Sequence, residues 1–231
     1  MKRFLFIGTL LALLVGCRKE YTYQISSLPI FEFNKVEFSN TAVVDTATHT
    51  FFQGVINGTT STFGENDTDF SPEGNLELTN QDNVKRFRYI YKFTPSTQQQ
   101  YQGFPEIYLP SFLTGNIRHY ADSLQVGDVY NLSSPLAIAN NNLGAAFSIK
   151  VPYKLKNKAG NESYETQIFY SNAEKQGKKS GMKIVSKEYK KIGVGRNVVD
   201  ILLSINATLE DSQYNTLQVE DGFFKIRIQL L

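Results

Sequence analysis

The sequence predicts an all-β protein, an antiparallel β-sandwich of the jelly-roll or immunoglobulin-like type. Three observations predict it: apolar residues alternate with polar ones, turn-forming residues separate the alternating runs, and helical spacing is confined to one short stretch. Because successive side chains of a strand point to opposite faces, each run offers one face to a core and one to water. We expect about ten strands or more and at most one short helix after the N-terminal signal described below.

The alternating runs extend almost to the last residue. The first, around Phe31, slips in phase after Asn34, which a β-bulge or a strand break would explain. The later runs have these apolar positions: Phe87, Tyr89, Tyr91 and Phe93; Phe147, Ile149 and Val151; Val199, Ile201, Leu203, Ile205, Ala207 and Leu209; Phe224, Ile226, Ile228 and Leu230. The intervening residues, among them Arg88, Lys92 and Asp200, are expected to face water.

Turn chemistry separates these runs. The sharpest signal is Asn57-Gly58, because both central residues of a type I′ hairpin turn need positive φ, which Asn and Gly tolerate. Further turn signals are Pro72-Glu73-Gly74, Gly127-Asp128, Gly160-Asn161 and Asp221-Gly222. Residues 117–124 carry apolar side chains at i, i+3, i+4 and i+7, which predicts the one short helix.

The first residues have the parts of an export signal. Lys2 and Arg3 give a positive start, residues 4–15 form an apolar run too short to span a bilayer, and Gly16-Cys17 ends it. This pattern resembles the bacterial lipoprotein signal with its lipobox. The resemblance implies that the residues before Cys17 are removed, that its sulfur carries a diacylglycerol thioether, and that its new amino group is acylated, with palmitate as the expected chain. The alternatives are an ordinary secretory signal followed by a free thiol, and a buried first helix.

We therefore expect a signal peptide at 1–16, a lipidated N-terminus and polar tether at 17–27, and a β-sandwich domain at 28–231. Polar residues at 134–145 interrupt the strand pattern, so a domain boundary there is the alternative, although a single domain with a long loop is favoured. Cys17 is the one cysteine, so with its sulfur acylated no disulfide is expected.

Charge gives no argument for a nucleic acid partner. The chain has 24 Lys and Arg residues against 22 Asp and Glu, and the signal contains two of the 24. Without the signal the side-chain net charge is zero, so no broad basic surface is expected.

A search for catalytic motifs finds none, and no catalytic residue is predicted. The two histidines, His49 and His119, have the surroundings of surface or strand residues. No cofactor is predicted apart from a candidate calcium site at Asp67 and Asp69, where oxygen-bearing side chains alternate as at the start of a calcium loop. Pro72 stands where such a loop needs glycine, so turn hydrogen bonding by these side chains is the favoured interpretation.

Tyr101, Phe104 and Tyr108 are the predicted ligand-binding residues, because they flank a polar loop at 96–103. Lysines crowd a second region, residues 175–191. They suit contact with anionic headgroups or acidic glycan, but the interspersed glutamates favour a hairpin with a solvated, charged face.

The whole chain resembles the small β-sandwich lipoproteins of Bacteroidota, a family of unknown function. The resemblance rests on Cys17 with its signal, FFQGVING at 51–58, IYLPSF at 107–112 with GDVYNL at 127–132, and the closing LQVEDGFFKIRIQL at 217–230. It implies an envelope setting, with the outer membrane favoured because no Asp follows the cysteine; the surface and the periplasmic side both stay open. It also implies O-glycosylation where Asp precedes Ser or Thr, which makes Thr46 and Ser123 candidates.

Two functions remain. The favoured one is a lipid-anchored, non-catalytic binding or structural module for a glycan or an envelope protein. The alternative is a hydrolase that acts on an envelope or extracellular polymer, with carboxylates that meet in a cleft.

Overall fold

The structure, a computed structural model, describes the chain from residue 49 onward with gaps. The described residues are 49–64, 70–81, 84–95, 104–114, 116–139, 144–156, 162–172, 181–193 and 195–230. They belong to one compact unit, Asn34–Leu231. Several predictions fall outside the described residues: the signal, the tether, the run around Phe31, and the candidate residues Cys17, Thr46, Asp67, Asp69 and Tyr101.

Eleven strands account for most of the described chain. They are β1 (Phe51–Ile56), β2 (Thr59–Gly64), β3 (Phe70–Gln81), β4 (Val84–Pro95), β5 (Phe104–Tyr108), β6 (Val129–Tyr130), β7 (Ala146–Lys156), β8 (Glu162–Ser171), β9 (Gly181–Ile192), β10 (Arg196–Glu210) and β11 (Thr216–Leu230). Every pairing between these strands is antiparallel, so the predicted all-β antiparallel class is confirmed.

The strands form one sheet that curls until it is nearly closed. The main order is β2-β1-β11-β10-β8-β7-β5-β4-β3, and its two end strands are consecutive in sequence. The long strand β10 changes neighbour along its length: its residues 196–206 pair with β9, whereas Leu209 and Glu210 pair with β8. The short β6 adds to the other edge of β9.

A cluster of aromatic rings fills the space between the two halves of the curled sheet. Phe52 of β1 lies 5.6 Å, between ring centroids, from both Phe147 of β7 and Phe224 of β11. Phe224 in turn lies 5.6 Å from Phe93 and 6.0 Å from Tyr91, both on β4. Since β4 and β11 are not neighbours in the sheet order, these contacts cross the interior, and the halves pack face to face as sandwich layers do. The predicted inward orientation of the β4 aromatic residues is confirmed.

Of three predicted turns, one is confirmed and two are wrong. Asn57-Gly58 joins β1 to β2 as a two-residue hairpin turn, with φ of 46° and 81°, and its prediction is confirmed. The prediction at Pro72-Glu73-Gly74 is wrong, because these residues pair with β4 in the middle of β3. The prediction at Asp221-Gly222 is also wrong: the register shift there makes them a bulge within β11.

A hydrogen bond joins β11 to the β3–β4 hairpin, although these strands are not neighbours in the sheet order. The Tyr89 hydroxyl donates it to the Arg227 carbonyl oxygen, 3.2 Å away. Gly74 lies beneath the Tyr89 ring, and a Cβ there would collide with the hydroxyl, so the close approach requires glycine. A cavity of about 350 Å³ lies beside these residues.

Two short helices cover parts of the sheet. The predicted helix is α1 (Ile117–Ser123), and the Asn116 side chain caps it by accepting a hydrogen bond from the His119 backbone N–H at 2.9 Å. A further helical turn, α2 (Pro135–Ala139), was not predicted, since five residues are too few for a 3.6-residue period to show. Its Ile138 carbonyl accepts a hydrogen bond from Arg88 at 2.8 Å, and Arg88 is only 2% exposed. The expectation that Arg88 faces water is therefore wrong, because α2 covers it.

Candidate functional site

The predicted binding residues Phe104 and Tyr108 lie on the outer face of β5, with Glu106 between them. Both aromatic side chains are half-buried. Lys150 of β7 lies over the Phe104 ring, 5.2 Å from its centroid, and pairs with Glu106 at 3.3 Å. Burial, and then the charge of Glu106, raise the pKa of Tyr108, so its hydroxyl stays neutral. The structure places Phe104 and Tyr108 on one face of the sheet. Neighbouring side chains of the same sheet already contact both residues.

The candidate glycosylation residue Ser123 is the last residue of α1. Its hydroxyl donates to the His119 carbonyl of the same helix at 2.9 Å, and the side chain is half-buried. His119 is exposed beside the helix cap, where its ring Nδ1 lies 3.3 Å from the Asn116 amide nitrogen. O-glycosylation at Ser123 stays a prediction.

Metal binding gains no support from the part of the chain that the structure describes. Within the described residues, no group of three or more His, Cys, Asp or Glu side chains is placed to hold a metal ion. The calcium candidates Asp67 and Asp69 lie outside those residues, so calcium binding there stays a prediction.

A cavity with polar groups lies on the outer face of four adjacent strands, and we call it the Asp200 pocket. Each strand contributes two residues spaced two apart, the spacing that places side chains on one face of a strand. The pocket is lined by Phe51 and Gln53 of β1, Phe223 and Lys225 of β11, Asp200 and Leu202 of β10, and Ser186 and Glu188 of β9. The register of the strands brings these residues together, since Phe51 and Leu202 both lie opposite Lys225, and Glu188 lies opposite Asp200. Its volume is about 370 Å³.

Asp200 lies at the centre of a charge cluster at the base of this pocket. Arg227 holds the carboxylate with two hydrogen bonds, from Nε at 2.7 Å and from Nη2 at 3.0 Å. The ammonium nitrogens of Lys190 and Lys225 lie 3.3 Å and 3.8 Å from Asp200 Oδ2. Burial raises the pKa of Asp200, but the hydrogen bonds and charge of Arg227, helped by both lysines, outweigh it, so the pKa lies below its ordinary value.

Two aromatic rings border this charge cluster. Phe223 is 41% exposed and presents its ring to solvent, whereas Phe51 is buried. The Gln53 amide and the Ser186 hydroxyl add groups that both donate and accept hydrogen bonds, and both side chains are exposed. The pocket therefore combines an apolar surface with convergent polar groups, the usual composition of a small-ligand site.

The sequence pattern does not reveal this pocket. Alternation predicts that Asp200 is exposed, and that prediction is wrong, because the side chain points outward but is only 3% exposed among its charged neighbours. Lys225 is likewise outward-pointing and only 8% exposed. The available signal was a negative residue in β10 and two positive residues on alternate positions of β11, but their pairing depends on a register that one sequence does not reveal.

The fold defines an all-β protein built on a single nearly closed antiparallel sheet. No protein-family model, curated protein or solved structure matches this chain. Among the residues that the structure describes, no helix is both long and apolar enough to cross a membrane.

Proposed function

We propose that this protein is a lipid-anchored lipoprotein of the bacterial outer membrane whose β domain binds a glycan, without catalysis, in the Asp200 pocket. Support for the anchor comes from the sequence, in which a positive start, a short apolar run and Gly16-Cys17 follow one another. Several acyl chains on Cys17 hold a protein firmly, since each buried methylene contributes about 0.8 kcal/mol.

The glycan assignment depends on one observation, the exposed ring of Phe223 beside several polar side chains in a shallow cavity. A sugar ring has an apolar face, which suits stacking on an aromatic ring. It also has a rim of hydroxyls that both donate and accept hydrogen bonds. Gln53 and Ser186 offer both kinds of group, Glu188 offers acceptors and Lys225 offers donors.

Charge supports binding over the alternative, a polymer hydrolase. Glycoside hydrolysis ordinarily needs one carboxylic acid that stays protonated beside a second, ionised carboxylate. The pKa of Asp200 is lowered instead of raised. Glu188 pairs with Lys190 at 2.9 Å. Asp200 thus has cationic partners that favour its ionised form, and Glu188 lies in an ion pair.

A glycan panel tests the proposal. The full-length protein, extracted in detergent, is titrated with polysaccharides of differing charge and linkage, and the release of reducing ends is measured in parallel. We expect binding without release. Phe223→Ala is expected to weaken binding at least tenfold, whereas Tyr214→Ala, which removes an aromatic residue that is 81% exposed and is not part of the pocket lining, leaves it unchanged.

The proposal fails if the wild-type protein binds no glycan, or if Phe223→Ala binds as tightly as the wild type with the same melting temperature. Release of reducing ends that Asp200→Asn abolishes would establish the hydrolase instead. An envelope protein that competes for the pocket, with no glycan bound, would make that protein the partner.

Anchoring has a separate test. We expect the wild-type protein in the membrane fraction and Cys17→Ala outside it; unchanged membrane association of the variant would refute the lipid anchor. Protease treatment of intact cells then distinguishes the sides, because a surface protein is digested and a periplasmic one is protected until lysis.

A further inference from the structure

A second cavity, of about 620 Å³, lies beyond the end of β5, and we call it the Ser111 slot. The segment that follows β5 and the short strand β6 both line it. The residues that the argument uses are Ser111, Phe112, Leu113, Val129, Tyr130 and Asn131. None of the residues that line the slot belongs to the Asp200 pocket, so a ligand here would occupy a separate site.

The segment after β5 has one backbone edge without a strand partner. Phe112 exchanges two backbone hydrogen bonds of 2.9 Å with Phe87 of β4, so its N–H and C=O groups are directed at β4. In an antiparallel ladder the backbone groups of the flanking residues, Ser111 and Leu113, point the opposite way. Neither of these two residues makes a hydrogen bond to another residue that the structure describes. Their backbone groups are therefore available to an added strand.

The Ser111 hydroxyl is a buried polar group that the fold does not satisfy. Ser111 is only 5% exposed, and its side chain has no hydrogen-bond partner within the described part of the chain. Burying a hydroxyl without a hydrogen bond costs free energy, so most buried hydroxyls have a partner. Because Ser111 lines the slot, an occupant with a hydrogen-bonding group would recover that cost.

Tyr120 of α1 holds the segment in place. Its hydroxyl donates a hydrogen bond to the Pro110 carbonyl at 2.7 Å and accepts one from the Tyr89 backbone N–H at 3.1 Å. Its ring meets the Phe112 ring edge-on, with 5.6 Å between the centroids. Since Tyr120 is fully buried, the segment has little freedom to lose when a ligand binds, which favours affinity.

The mouth of the slot is apolar. Leu113 is 62% exposed and Val129 is 68% exposed. Tyr130 lies beside them, and its hydroxyl donates a hydrogen bond to Asp128 at 2.9 Å, which orients the ring. Exposed apolar side chains next to an open strand edge suit an extended peptide, because the main chain supplies the hydrogen bonds and alternate side chains supply the apolar contact.

We propose that the Ser111 slot binds an extended, apolar peptide segment of another protein as an added strand. The peptide main chain pairs with Ser111 and Leu113, and an apolar side chain of the peptide lies against Leu113 and Val129. Residues two apart on a strand are about 7 Å apart, and the N–H and C=O groups along one edge of an extended peptide repeat at the same spacing. Sugar hydroxyls lack this regular edge, so the slot favours a peptide over a glycan. The site goes beyond the proposed function and does not depend on it.

Peptide selection tests the site. The full-length protein, extracted in detergent, is offered a phage-displayed library of random dodecapeptides, and a selected peptide is synthesised for affinity measurement. Two further forms carry N-methyl groups on alternate backbone nitrogens, one form for each edge of the peptide. We expect one form to lose at least tenfold in affinity and the other to bind nearly as well as the parent, because a strand pairs through one edge. Binding should also slow hydrogen exchange of the Ser111 and Leu113 amides.

Variants of the protein locate the bound peptide. Leu113→Asp should weaken binding at least tenfold, whereas Leu136→Asp, at an exposed leucine of α2 outside the slot, should not change it. Ser111→Ala should weaken binding about fivefold and leave the melting temperature unchanged or higher, because the hydroxyl has no partner among the described residues to lose. Ser212→Ala, at an exposed serine of the β10–β11 loop, is the matched control and should alter neither property.

Selection of no peptide would overturn the proposal. So would a peptide that binds Leu113→Asp as tightly as the wild type, or equal affinities of the two N-methylated forms. A glycan that slows exchange at Leu113, with no peptide bound there, would overturn it as well and assign the slot to a sugar. The Phe223→Ala measurement tests the Asp200 pocket alone, so the failure of one site is distinguishable from the failure of the other.

Discussion

Asp200 is a buried carboxylate that forms ion pairs with three neighbouring cations. Asp200→Asn leaves those cations without their shared anion, so we expect a loss of about 3 kcal/mol in the free energy of unfolding at pH 7. Urea denaturation measures it. Glu220→Gln, at an exposed position of the same strand as Arg227, is the control, and we expect a change of about 0.5 kcal/mol or less.

The same carboxylate predicts a pH dependence. Because the pKa of Asp200 is lower in the folded state than its ordinary value of 3.8, its stabilising effect is fully present above about pH 4 and is lost as the pH falls through the folded-state pKa. The difference in stability between wild type and Asp200→Asn should therefore narrow from pH 5 to pH 2. A constant difference over that range would show that the charge of Asp200 is not the source of the stabilisation.

At the scale of single residues, sequence pattern predicts which way a side chain points better than it predicts burial. Arg88 and Asp200 both point away from the core, as alternation predicts, yet each is nearly inaccessible. The cover comes from α2 for Arg88 and from the charges of β9 and β11 for Asp200. These covering groups are distant in sequence, so neither residue's own strand contains the information.

Among the elements, α1 depends on a lysine from β9. The Lys187 ammonium donates to the Leu124 carbonyl at 2.7 Å and to the Ala121 carbonyl at 3.3 Å, where the helix ends. A cation there adds hydrogen-bond donors to the carbonyls at the C-terminal end of the helix and interacts favourably with the helix dipole. Lys187→Met should lower stability by about 1 kcal/mol. It should also speed hydrogen exchange of the α1 amides.

Lys183→Met provides the matched comparison on the same strand, because Lys183 is exposed and pairs opposite Ser204 on the outer face. We expect unchanged exchange in α1 for that variant. Equal exchange rates of the α1 amides in both variants would show that Lys187 does not stabilise the end of α1.

Turns show which element boundaries were predictable. Asn57-Gly58 has the chemistry and the length of a two-residue hairpin, and local residues are sufficient to specify it. Asp221-Gly222 is similar in composition, and Asp221 has a positive φ. The pairing of β11 with β10 continues on both sides of these residues, however, so they form a bulge instead of a turn. Gly74 meets a different need, space for the Tyr89 ring, which no local pattern reveals.

At the scale of the whole molecule, the aromatic cluster joins strands that are remote in the sheet order. Phe224 contacts rings from β1, β4 and β7, so Phe224→Ala should lower the free energy of unfolding by about 3–5 kcal/mol. The whole domain should still unfold in one transition at a lower denaturant concentration, seen equally by circular dichroism and tyrosine fluorescence.

The neighbouring Phe223 gives the control for this prediction, since its ring is on the opposite face of β11 and is partly exposed. Phe223→Ala should change stability by about 1 kcal/mol or less. Similar losses in the two variants would mean that the interior cluster does not unite the sheet as described.

The class of fold follows from alternation and turns, whereas the candidate site does not. Each of its strands contributes two residues of ordinary outward-facing appearance, and the pocket exists only because four registers align. The prediction that Phe104 and Tyr108 bind a ligand depends on their place beside a polar loop, a local property, and the structure gives both residues partners within the sheet. Register is a long-range outcome of packing, so a site that depends on it needs the folded structure.

The position of β11 between β1 and β10 has a consequence for biosynthesis. A polypeptide leaves the ribosome from its N-terminus, so β1 emerges long before the strand that must lie beside it. Until the 15-residue strand β11 is made, the β1 edge of the β1–β2 hairpin is unpaired and the hairpin has no link to β10. The nascent chain is thus unable to complete its sheet until β11 has been synthesised.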